Sequence, residues 1–125
     1  MATQVIICDD SNMARKQMKR ALPEAWETEV TFAKNGQEAL EIIKQGQHEI
    51  MFLDLTMPVL DGYGTLEAIK AEDLPIMVIV VSGDIQPEAR ERVKKLGAID
   101  FIKKPVDQEK IKQVLHDYGI WGGEA

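Results

Sequence analysis

The segment IMFLDLTMPVLDGYG, residues 50–64, decides the fold. Ile50 to Leu53 are apolar without a break, and they run straight into Asp54. Pro58 and the pair Asp61-Gly62 then turn the chain away. An apolar run with no polar alternation is how a strand reads when both of its faces are covered, as in a parallel sheet. A carboxylate at the carboxyl end of such a strand stands where open parallel sheets hold their ligands.

Four other runs share the strand character: QVIIC (4–8), EVTFA (29–33), IMVIVVS (76–82) and DFIKK (100–104), beside IMFLD (50–54) itself. EVTFA alternates, and DFIKK is short and ends in lysines, so these two read as edge strands. Helical stretches separate them. Asn35 with Glu38 three residues on forms a capping-box pattern. Pro87 opens a stretch that places Ala89, Val93 and Leu96 on one face and stops at Gly97. Asp107 caps a helix carrying Ile111, Val114 and Leu115. The first helix follows Asp10-Ser11 and ends near Pro23, and the third follows Gly62 and ends before Pro75. The pattern is (βα)5, an α/β fold with a doubly wound, five-stranded parallel sheet. Edge strands in second and fifth place give the order 2-1-3-4-5, with a crevice between the carboxyl ends of strands one and three.

The 125 residues carry a net charge of −6, which argues against phosphate-backbone binding by this domain. Cys8 is the single cysteine, so no internal disulfide forms and a reducing compartment is expected. No signal-peptide pattern and no apolar run of membrane-spanning length are present, so the expected location is cytoplasmic, with no membrane partner.

The residues that follow each strand carry the chemistry. Asp9 and Asp10 follow the first, Asp54 ends the third, Ser82 then Gly83 and Asp84 follow the fourth, and Lys104-Pro105 follows the fifth. Taken singly, each has a plainer use: a helix cap, a loop hydroxyl, a solvated lysine. Together they place three acids, a hydroxyl and an ammonium on one rim. Converging carboxylates either protonate or bind a hard cation, and an oxygen-only set points to Mg²⁺ rather than Zn²⁺. Ammonium, hydroxyl and metal around one acid make a phosphoryl-transfer environment in which a carboxylate can be the nucleophile.

With its acid pair, DLTMPVLDGYG, VIVVSGD and GAIDFIKKP in order and at the right spacing, the chain resembles the receiver domain of two-component response regulators, the chemotaxis-regulator type, over nearly its whole length. The resemblance implies a flavodoxin-like fold and these roles: Asp54 as phosphoacceptor, Asp9, Asp10, Asp54 and the Thr56 carbonyl as Mg²⁺ ligands, and Lys104 bridging to the acceptor and then to the phosphoryl group, with a cis bond to Pro105. Ser82 is then the switch hydroxyl and Phe101 the aromatic that turns inward, standing where many relatives have tyrosine. Thr56 and Asp84 flank the path of attacking water and tune dephosphorylation. A histidine kinase is the implied phosphodonor. The domain takes part in its own phosphotransfer and autodephosphorylation without being an enzyme on other substrates.

The face of the fourth helix, fifth strand and fifth helix is locally basic, with Arg90, Arg92, Lys94, Lys95, Lys103, Lys110 and Lys112, and is the expected docking surface for a downstream effector or motor protein. Residues 1–118 are read as the receiver domain. Residues 119–125 are a tail that either tucks Trp121 against the last helix or starts a linker to an effector domain, the latter being favoured. The alternative function is a haloacid-dehalogenase-type phosphohydrolase with Asp54 as nucleophile. It lacks the general acid that such enzymes carry two residues on, where this chain has Thr56. A flavodoxin-like cofactor binder would not place two acids after strand one, where they repel a phosphate.

Overall fold

A computed structural model describes residues 2–83 and 86–121. Asp84 and the Gly122-Gly123 pair of the tail lie outside the described residues. Ten elements alternate: β1 (Thr3–Cys8), α1 (Asn12–Ala21), β2 (Thr28–Ala33), α2 (Gly36–Ile43), β3 (Ile50–Leu53), α3 (Gly62–Ala71), β4 (Met77–Ser82), α4 (Pro87–Lys95), β5 (Asp100–Lys103) and α5 (Gln108–Asp117). All four strand pairings are parallel, in the order β2-β1-β3-β4-β5. β2 and β5 are the edges, as their sequences implied.

The unbroken apolar runs have a direct explanation in the core. Successive side chains on a strand point to opposite faces, so a strand covered on both sides needs apolar residues at every position. On one face Ile6, Cys8, Met51, Leu53, Val78, Val80 and Phe101 meet Ala39, Leu40 and Ile43 of α2, Leu66 and Ile69 of α3, and Val93 of α4. On the other Val5, Ile7, Ile50, Phe52, Ile79, Val81 and Ile102 meet Met18 and Ala21 of α1 and Ile111 and Leu115 of α5. Each fully buried Ile, Leu or Phe contributes about 1.5–3 kcal/mol by transfer from water. Ile120 and Trp121 pack against the second of these layers, and the amides of both reach the Leu115 carbonyl.

Helix starts follow their capping residues, with three adjustments. α1 is capped by Ser11, whose hydroxyl accepts from Ala14 N, which leaves Asp9 and Asp10 for other work. α3 is capped by Asp61, whose Oδ1 accepts from Gly64 N at 2.8 Å, so Gly62 is the first helical residue rather than the one before. At α2, Asn35 Oδ1 accepts from Glu38 N, but Glu38 answers to the amide of Lys34 rather than to that of Asn35, so the capping box closes one residue early. Gly97, at φ +103°, supplies the left-handed residue that ends the α4 turn.

Candidate functional site

Three of the acids converge where β1 and β3 part. Asp9 and Asp54 both stand one residue beyond the end of their strands, because β1 ends at Cys8 and β3 at Leu53. The backbone ties them into the sheet: Asp54 N donates to the Cys8 carbonyl at 2.9 Å and Asp9 N to the Ala33 carbonyl at 3.0 Å. Asp9, Asp10 and Asp54 each offer a carboxylate oxygen within 4.8 Å of the others. Asp9 and Asp54 are buried, whereas Asp10 lies on the exposed rim.

Lys104 comes in from the end of β5. Its Nζ lies 2.9 Å from Asp9 Oδ2 and 3.3 Å from Asp54 Oδ1. Its own amide donates to the Ser82 carbonyl at 2.8 Å, which locks the β5 end to the β4 end, and the following bond to Pro105 is cis. Ser82 is buried at the tip of β4. Next to it Gly83 faces open space, with no atom within 4 Å of where a Cβ would stand. Thr56 is exposed in the β3–α3 loop.

Electrostatics follow from this crowding. Burial and then the Asp9 charge push the Asp54 carboxyl up, against the pull of Lys104 and of the Leu55 amide. Burial works to lower the Lys104 ammonium. The Asp9 hydrogen bond and the charges of both carboxylates outweigh it, so the ammonium is held above the usual lysine range. Cys8, beneath the acids, is pushed up to about 12 by burial and by Asp9 and Asp54, so it is a thiol at neutral pH and no thiolate ligand. Its sulfur packs 3.6 Å from that of Met57. One ammonium faces three carboxylates. This oxygen-only, net negative donor set fits a hard divalent cation.

The structure also brings to the site two residues to which the sequence reading gave no part in it. Gly62 sits against the acceptor strand: a Cβ there would lie 2.5 Å from the Asp54 carbonyl oxygen. Arg15 is buried beside Asp9, and its Nη1 donates to the Asp9 carbonyl at 2.7 Å. A cation in the first turn of α1, at the positive end of the helix dipole, was the available signal. A cavity of about 490 Å³ adjoins the site on the α1–α5 side, lined by Ile7, Phe52, Val81, Asp54 and Lys104 among others.

Phe101, the expected switch aromatic, lies inside the fold. It is 7% exposed, already inward in the layer under α2, α3 and α4, with the Arg90 guanidinium 5.2 Å above its ring. Arg92 lies 4.0 Å over Tyr63, so α4 rests on one aromatic on each side.

A model of the response regulator receiver domain matches residues 5–116. The chain belongs to the receiver-domain family of response regulators. It is 31% identical to the chemotaxis protein CheY of Halobacterium salinarum, with 94% of this receiver and 97% of that protein covered. It is 37% identical to a protein-glutamate methylesterase/protein-glutamine glutaminase of Bacillus licheniformis, over 98% of this chain but 36% of that protein. The receiver spans about a third to a half of the first curated relatives it matches. Among solved structures, the CheX-CheY-BeF3-Mg²⁺ complex of Borrelia burgdorferi superposes with a TM-score of 0.84 at 29% identity, covering 95% of this chain and 90% of that one. Receivers are signalling domains. As a family they bind Mg²⁺ at an acidic pocket and work with histidine kinases or phosphotransfer proteins and with downstream partners. The phosphohydrolase alternative finds no support in these matches. Among the described residues, no helix is long and apolar enough to cross a membrane.

Proposed function

We propose that Asp54 is the phosphoacceptor of this receiver and that Asp9, Asp10, Asp54 and the Thr56 carbonyl hold Mg²⁺. The observation that carries the reading is the double hold of Lys104 on Asp9 and Asp54, beside a third carboxylate within 4.8 Å. Asp9 has both oxygens engaged, one by Lys104 and one by the Ser11 amide at 2.9 Å. That makes it the supporting acid and leaves Asp10 and Asp54 to face the cation more directly. Mg²⁺, when bound, neutralises charge between acceptor and phosphoryl oxygens. The similar Borrelia complex, which holds BeF3 and Mg²⁺, is in keeping with this reading.

In the reaction, an Asp54 oxygen attacks the phosphorus of a phosphohistidine. The new P–O bond forms as the donor's P–N bond breaks, and the departing imidazole takes up a proton. Lys104 stays charged throughout and turns from the carboxylates toward a phosphoryl oxygen. Ser82 donates its hydroxyl to another. Hydrolysis later returns Asp54, with Thr56 and Asp84 setting the approach of water.

Ser82 and Phe101 carry the signal to the α4–β5–α5 face. The packing of the Phe101 ring, buried with the Arg90 guanidinium over it, supports a switch that couples this aromatic to α4. A groove on this face, lined by Arg90, Phe101, Lys103, Glu109, Lys110 and Gln113, supports its reading as the docking surface for a downstream protein. The cognate donor is a histidine kinase, the location is cytoplasmic, and residues 1–118 are the receiver proper.

Incubation with Mg²⁺ and acetyl phosphate tests the reading. A single acid-stable, base-labile phosphoryl adduct is expected in the parent and none in Asp54→Ala. An adduct that persists in Asp54→Ala would overturn it.

A further inference from the structure

We infer that Arg15 is a positioning residue for the metal site, acting through the peptide that joins Asp9 to Asp10. The inference rests on the reading of Asp10 as a Mg²⁺ ligand.

Arg15 is an expensive residue in its place. It is 8% exposed, so its charge is taken almost wholly out of water. It stands in the first turn of α1, where the helix dipole disfavours a cation, and no acidic residue shares that turn. Its Nε is buried without a partner. Residues that break local rules in this way are expected where function compensates.

Its contacts show what it does. Nη1 donates to the Asp9 carbonyl at 2.7 Å, Nη2 to Asn12 Oδ1 at 3.3 Å, and the guanidinium lies 5.8 Å from the centre of the Phe32 ring. The Asp9 carbonyl belongs to the planar peptide whose far end is the Asp10 Cα. Asp9 itself is fixed three further times, by the Ala33 carbonyl on its amide, by the Ser11 amide and by Lys104 on its carboxylate. Asp10 is exposed, and among the described residues no hydrogen bond or ion pair restrains its carboxylate. The direction from which Asp10 meets its neighbours is therefore set by its backbone, and Arg15 holds that backbone from inside the fold. The guanidinium fork, braced by Asn12 and Phe32, fixes the plane in a way a flexible ammonium would not.

The sign of the effect separates this role from two others. A buried cation near three carboxylates repels Mg²⁺, so a purely electrostatic role predicts tighter Mg²⁺ binding once Arg15 is removed. A purely structural role predicts a lower melting temperature in EDTA with an unchanged dissociation constant. Positioning predicts weaker binding.

Titration of the whole chain with Mg²⁺ by calorimetry reads this directly. Arg15→Met is expected to weaken binding about 10-fold, the lower end of what loss of a ligand-orienting contact costs. Arg15→Lys keeps the charge and one donor. It should fall between parent and Arg15→Met, and it carries the test alone if Arg15→Met does not fold. In an Asp10→Asn background, either Arg15 substitution should add little further loss. Unchanged or tighter binding in the Arg15 variants, or an equal loss with and without Asp10, would overturn the inference. A parent-like affinity in Asp10→Asn alone would instead overturn the metal-site reading on which it rests.

Discussion

Replacing Gly62 by alanine tests how the acceptor strand is packed. A Cβ at this position would lie 2.5 Å from the Asp54 carbonyl oxygen, 2.7 Å from Leu55 Cα and 2.9 Å from Leu55 Cδ2. The first two are backbone atoms of the strand end that presents Asp54, so they cannot swing aside. Gly62 is also tied there by its amide, which donates to the Leu55 carbonyl at 3.0 Å. Forcing a methyl into packed main chain costs about 1–3 kcal/mol, against which alanine recovers up to about 1 kcal/mol of helix propensity. Because the atoms met are main chain, the upper part of that cost applies, about 2–3 kcal/mol, and the net is a loss of about 1–2 kcal/mol. At this chain length that corresponds to a fall in melting temperature of roughly 3–10 °C. Thermal unfolding followed by circular dichroism measures it. Two controls fix the interpretation. Gly64→Ala meets the tip of the Leu60 side chain at 2.6 Å, which can rotate away, so its loss should be smaller. Gly83→Ala meets nothing within 4 Å and should melt like the parent. Because the displaced atom is the Asp54 carbonyl oxygen, phosphoryl uptake by Gly62→Ala should also slow at temperatures where the variant is fully folded. A Gly62→Ala protein as stable as the parent would refute the reasoning.

Asp54→Asn should stabilise the metal-free protein at neutral pH: a carboxyl raised in the fold contributes stability below its unfolded value and loses it as pH rises through its folded one, and asparagine removes that loss. Chemical denaturation at neutral pH and at a pH below the ordinary carboxylate range checks this, since the advantage should vanish at the lower pH. Lys104→Met leaves Asp9 and Asp54 without their shared cation. Added Mg²⁺ should then raise its melting temperature more than that of the parent, while phosphoryl uptake is lost. Val59→Gly should gain about 1 kcal/mol, because Val59 is β-branched, 83% exposed and held at φ +69° where its side chain buries little. Denaturant titration of the pair measures the gain.

The sheet and its order were legible because the signal is local and repeated. Ile50 to Leu53 and Met77 to Val81 must be apolar at nearly every position once both faces are covered, and the two weaker runs, β2 and β5, proved to be the edges. The acids and Lys104 were legible because each stands directly after a strand, where the topology leaves one crevice. The missing pieces depend on how the chain folds back on itself, which no hydrophobic period or strand-end position records. Nothing in DGYG says that a side chain at position 62 would run into the Asp54 carbonyl. A cation in the first turn of α1 marks Arg15 as unusual, but it does not say that the side chain turns inward to Asp9 rather than outward to solvent. The positive φ of Val59 was hidden by the choice of a residue that disfavours it. The guanidinium of Arg90 over the Phe101 ring comes from another element, and no spacing in the sequence announces that contact.

Locating the phosphoryl group is the most direct test of the central claim. Borohydride reduction of the acetyl phosphate-treated protein converts an aspartyl phosphate to homoserine, which tandem mass spectrometry of peptides then places. The account predicts conversion at position 54 and at no other carboxylate. Conversion at Asp9 or Asp10, with Asp54 unmodified, would contradict it.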